Sequence, residues 1–121
     1  MNEQTISNID RLDLVRRRRL ATARVERETL RNEVLATLIE TNRRACELRT
    51  WIEQAAPKVA VLQDARLARM LDWARAELAS LEAAGDLKRL SETLRAGDLF
   101  PQADSLTDPL GDPPPAHPWG W

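Results

Sequence analysis

Between Ser7 and Ala56 the sequence holds neither a proline nor a glycine, and the first breaker of this run is Pro57. Interior glycine costs a helix about 1 kcal/mol and interior proline about 3 kcal/mol relative to alanine. Fifty residues free of both, and rich in Ala, Leu, Glu and Arg, therefore predict one long helix over about 7–55. Ser7 is placed to cap it, with Asp10 three residues on as a capping-box partner. Leu30, Val34, Leu38, Thr41, Ala45, Leu48, Ile52 and Ala55 step by three or four and define its apolar face, with one departure from strict heptad spacing near residue 38. The opposite face offers Arg24/Glu28, Glu40/Arg44 and Arg49/Glu53 as i,i+4 pairs.

Pro57 suits the first turn of a following helix, where its missing N–H is not needed. A second helix is expected over about 57–84, with Val59, Leu62, Leu67, Met70, Leu71, Ala74, Leu78 and Leu81 facing a core. Gly85 is a fitting terminator, and Asp86 can cap a third helix over about 86–96 carrying Leu87, Leu90 and Leu94, which Gly97 ends. The expected fold class is all-α. An antiparallel, coiled-coil-like helical hairpin turning at Pro57 pairs Leu48 with Leu67, Ala45 with Met70, Leu38 with Leu78 and Val34 with Leu81. The alternative is one long helix kinked at Pro57 inside an oligomeric coiled coil. In the hairpin, residues before about 27 outrun the partner helix, which argues for self-association or a bound partner.

The formal net charge of −1 conceals a polarity along the chain. From Arg11 to Arg31 there are eight arginines against three acids, whereas from Gly97 onward there are four aspartates and no lysine or arginine. A basic head and an acidic tail attract each other, within one chain or between chains. Arg16, Arg17, Arg18 and Arg19 are consecutive and, at about 100° per residue, point around most of a helix circumference. With Arg24 they form a basic collar. Asp13 sits three and four residues before Arg16 and Arg17, and the expected partner is an acidic protein surface. Nucleic acid is the alternative reading, opposed by the absence of stacking aromatics, of helix-turn-helix spacing and of a basic isoelectric point. A membrane surface is not expected, because the face opposite the collar carries no Trp or Phe.

Residues 1–97 read as a helical domain and 98–121 as an acidic, proline-rich, flexible tail. Leu99-Phe100-Pro101 is followed by Asp104, Leu106, Asp108, Leu110 and Asp112, then by Pro113-Pro114-Pro115 and Pro118, which enforce an extended path to Trp119-Gly120-Trp121. Leu99, Phe100, Leu106, Leu110, Trp119 and Trp121 are spaced as anchors for docking, on a partner or on the chain's own helices.

Catalysis is not expected. The single histidine, His117, lies among tail prolines, and Cys46 is the only cysteine, so neither a metal site nor an intramolecular disulfide is anticipated. Cys46 reads as a small apolar residue beside the core, and Trp51 and Trp73 as core or interface residues. No glycine-rich phosphate loop or nucleophile motif occurs, and no cofactor is implied. The start of the sequence lacks the character of a signal peptide, and no apolar run approaches a membrane span, so the expected location is cytoplasmic. These features converge on a non-enzymatic helical adaptor or assembly protein working through protein–protein interaction. A small nucleic-acid-associated regulator using the arginine-rich helix is the alternative.

Overall fold

The computed structural model describes residues 3–114, with side chains from residue 10 onward. Within them the chain is all-helical: α1 runs Glu3–Leu62, α2 Ala65–Ala84 and α3 Leu87–Ala96, and no strand occurs among the described residues. None of these helices is long and apolar enough to cross a membrane. Helix begins at Glu3, so Ser7 lies inside α1 and is not its cap.

Two compact units divide the chain, one formed by residues 1–31 with 99–121 and the other by residues 32–98. The second unit holds the buried cluster Ile52, Leu71 and Ala74, against which Leu48, Ala56, Val59 and Leu78 pack. Ala45 is also buried. From Val34 to Val59 the least exposed residues of α1 follow the anticipated stripe, stepping by three and four. Leu30 departs from it and is exposed.

The break between α1 and α2 falls at Gln63-Asp64, six residues beyond the expected turn, and Pro57 sits within α1. An interior proline costs a helix roughly 3 kcal/mol through its absent N–H and its clash with the preceding turn. Stopping at Ala55 would remove half-buried Val59 from the face that Ile52 and Ala56 share; full burial of such a side chain stabilises by about 1.5–3 kcal/mol, so its partial burial offsets part of that cost. Asp64 supplies what a helix start requires. Its backbone is extended, and its carboxylate accepts from the Arg66 and Leu67 N–H groups at 2.8 and 3.0 Å. Gln63 adopts a left-handed conformation, φ 53°, that ends α1.

This later break displaces the pairing anticipated from Pro57. Leu67, Met70 and Leu62 are exposed, while Leu48 packs on the cluster containing Leu71 and Ala74, and Arg49 reaches Glu82 at 2.8 Å. The surface pairs rearrange as well. Arg43 bridges Glu40 and Glu47 on α1, taking the place expected for Arg44. Trp51 and Trp73 are both exposed, so neither belongs to the core, and Cys46 is exposed with an Arg49 guanidinium nitrogen 3.9 Å from its Sγ.

Asp86 caps α3 as expected, accepting from the Arg89 N–H at 3.3 Å. Gly85 and Gly97 end α2 and α3 at φ −88°, a conformation open to any residue. The left-handed positions fall instead on Gln63 and Asp98. Leu87 is exposed, and Leu90 and Leu94 are half-buried.

Candidate functional site: an arginine ladder and the segment it holds

In the unit formed by residues 1–31 and 99–121, arginines of α1 engage the segment from Leu99 to Pro114. Arg17, Arg24 and Arg31 are seven residues apart and Arg27 lies three after Arg24, so the four share one stripe of the helix. Arg27 forks onto Asp104, with its two terminal nitrogens 2.9 and 3.3 Å from Oδ1 and Oδ2. Arg17 donates from Nε to Asp108 Oδ2 at 2.8 Å and from a terminal nitrogen to the Gly111 carbonyl at 3.3 Å. Arg24 divides its fork between the Leu106 carbonyl and Asp112 Oδ1, the latter at 2.7 Å. Arg31 donates to the Leu99 carbonyl at 2.6 Å, and its guanidinium lies 4.3 Å from the centroid of the Phe100 ring.

The aspartates are pre-positioned by their own backbone. Asp104 Oδ1 accepts from the Leu106 N–H at 2.9 Å, and Asp108 Oδ1 accepts from the Leu110 N–H at 3.0 Å. Both are Asx turns, which use the short carboxylate side chain to mimic a backbone turn. Gly111 follows at φ 79°, with its N–H donating to the Asp108 carbonyl at 3.0 Å. An arginine guanidinium and a backbone N–H acting together hold the Asp104 and Asp108 carboxyls well below the usual carboxylate range. The Arg17–Asp108 pair is the most enclosed, its side chains keeping 17% and 4% of their surface exposed, whereas Asp112 opposite Arg24 is 85% exposed.

The anticipated collar residues thus serve different ends. Arg17 and Arg24 hold aspartates, and Arg18 donates to the Pro114 carbonyl at 3.0 Å. Arg16 pairs with Asp13 at 3.0 Å, and Arg19 is exposed. Of the tail anchors, Leu99 is buried, Leu106 is half-buried, and Phe100 and Leu110 are exposed. Trp119 and Trp121 lie outside the described residues. Residues before 27 do have an intramolecular companion, since segment 99–114 meets α1 from Arg17 to Arg31, although Leu12 and Val25 remain exposed.

Arg27, Arg31, Asp104, Asp108 and Asp112 complete the site and were not singled out as binding residues by sequence alone. The signal was present in the spacing: arginines at intervals of seven on one side, aspartates at intervals of four on the other. Among the described residues, no group of three or more His, Cys, Asp or Glu is arranged to hold a metal ion. No protein-family model, curated protein or solved structure matches this chain.

Proposed function

We propose that this protein is a non-enzymatic helical adaptor or assembly protein that acts through protein–protein contacts, with its C-terminal tail as a docking segment. The observation that carries the reading is the Leu99–Pro114 segment itself: its backbone is turned by its own aspartates, and it presents Phe100 and Leu110 outward. Exposed apolar side chains on a charged segment held in fixed turns are what a partner's pocket takes up. In this reading α1 and α2 form an antiparallel helical hairpin, a reading supported by the Ile52–Leu71–Ala74 cluster and the Arg49–Glu82 pair. Exposed Leu35, Ile39, Trp51 and Trp73 supply further surface for self-association or a second protein. The nucleic-acid alternative has less support, because Arg17 and Arg24 already face carboxylates.

The test is affinity capture with two full-length baits, one unaltered and one carrying Phe100→Ala, Leu106→Ala, Leu110→Ala, Trp119→Ala and Trp121→Ala. Proteins retained by the first and lost from the second identify the tail's partners. Identical recoveries would remove the docking role. Light scattering on the unaltered chain reports self-association directly.

A further inference from the structure

Arginine side chains bind segment 99–114 through two kinds of acceptor. The carboxylates of Asp104, Asp108 and Asp112 receive Arg27, Arg17 and Arg24, while the main-chain carbonyls of Leu99, Leu106, Gly111 and Pro114 receive Arg31, Arg24, Arg17 and Arg18. Donors aimed at main-chain carbonyls three to seven residues apart read the course of a turned polypeptide backbone, and donors aimed at carboxylates read acid at a set spacing. A bare phosphate array satisfies only the second requirement.

We propose that the α1 face bearing Arg17, Arg24, Arg27 and Arg31 is a binding site for acidic peptides of other proteins that take the same turned course, with aspartates four residues apart, for which the chain's own tail is the resident competitor. This rests on reading the protein as an interaction module and names the kind of partner its first helix takes. The tail leaves part of the site unfilled: Phe100 and Leu110 stay exposed and Asp112 is mostly solvated. The Arg24–Asp112 pair, open to solvent on the aspartate side, contributes little. Beside Pro114, a groove of about 440 Å³ lies between Ala21, Thr22 and Val25 on α1 and Pro113-Pro114. A competing peptide with the same aspartate spacing and a bulky apolar residue at that groove buries surface that residues 99–114 leave open. The tail's advantage is its tether, which holds it at an effective concentration on the order of millimolar. Loosening the tail therefore exposes the site, and the affinity for an added peptide rises.

The experiment titrates a fluorescein-labelled peptide with the sequence of residues 99–114 against two full-length chains, one unaltered and one carrying Asp104→Asn, Asp108→Asn and Asp112→Asn. The expected result is binding about tenfold or more tighter to the substituted chain, weakened by salt and abolished when Arg17→Gln and Arg24→Gln are added. Equal affinities, or no binding to a substituted chain whose circular dichroism matches the parent, would overturn the proposal. Should the substituted chain lose helix, the unaltered chain decides. Excess unlabelled peptide must shift the amide resonances of Leu106 and Leu110 as the tail is displaced, and unmoved resonances at several times the tether's effective concentration would overturn it. The outcomes separate from those of the capture experiment. Peptide binding without recovered partners defeats the adaptor reading alone, and recovered partners without peptide binding defeat the arginine site alone.

Discussion

Arg17 and Asp108 stand 91 positions apart in sequence and meet at 2.8 Å, with the aspartate side chain 4% exposed. Removing one member leaves the other enclosed and uncompensated, which costs more than losing an exposed pair. Asp108→Asn is therefore expected to loosen segment 99–114 more than Asp112→Asn, whose carboxylate is 85% exposed and whose loss costs about 0–1 kcal/mol. Hydrogen exchange at the Leu106 and Leu110 amides measures the difference. Equal protection in the two variants would show that enclosure at Asp108 adds nothing.

The Arg17–Asp108 and Arg27–Asp104 pairs together set a pH dependence. The Asp104 and Asp108 carboxyls are lowered in the folded chain, chiefly by hydrogen bonds from Arg27 and Arg17, so protonation opposes the docked state. Their stabilisation is complete above the unfolded aspartate value of about 4 and is lost as pH falls through the lower folded values. Titrating from pH 6 downward should leave the Leu106 and Leu110 resonances unchanged to about pH 4 and displace them below it. In the chain with Asp104→Asn and Asp108→Asn that acid transition disappears.

In the unit spanning residues 32–98, Leu71 is 6% exposed within the Ile52–Ala74 cluster. Leu71→Ala removes packed methyl groups from a small core and is expected to cost about 2–4 kcal/mol in denaturant unfolding. Leu67→Ala, at an exposed position, should cost well under half as much. The core anticipated from a turn at Pro57 includes Leu67 beside Leu71 and predicts a large loss at both, so this comparison also checks where α1 ends.

Pro57 lies inside α1, and Gln63 holds a left-handed backbone that favours glycine or asparagine. Pro57→Ala should raise stability by about 1–3 kcal/mol, since the helix regains a donor and loses a ring clash. Gln63→Gly relieves strain of about 1–2 kcal/mol but adds freedom to the unfolded chain, for a net gain of up to about 1 kcal/mol. Thermal unfolding of each variant against the parent provides the measurement. A drop with Pro57→Ala would place a real turn there.

Much of the helical unit was legible in sequence because its signals are local. The stripe from Val34 to Ala55, the cap at Asp86 and the ends at Gly85 and Gly97 all depend on residues within a few positions of one another. Pro57 misled for a physical reason: a proline's local cost is offset in part by packing of Ala56 and Val59 on the Ile52 cluster, which a local reading does not see, and the true start signal was the cap at Asp64. Three of the eight residues anticipated for α2's core, Leu62, Leu67 and Met70, followed that error outward. The attraction between basic head and acidic tail was legible as a net charge pattern. Its partners were not, because Arg24 had an equally plausible local acid in Glu28 and nothing local directs it to Asp112.

The separation between the two halves of the site has a consequence in time. A ribosome adding about 5–20 residues per second places Asp108 on the order of ten seconds after Arg17. Leu71 and Ala74 follow Ile52 far sooner, so their cluster can assemble while the chain is still being made. Throughout that interval the nascent helix carries cationic side chains whose eventual carboxylates have yet to be translated. The tail therefore acts last, as a counter-charge that retires a basic surface only once synthesis has reached it.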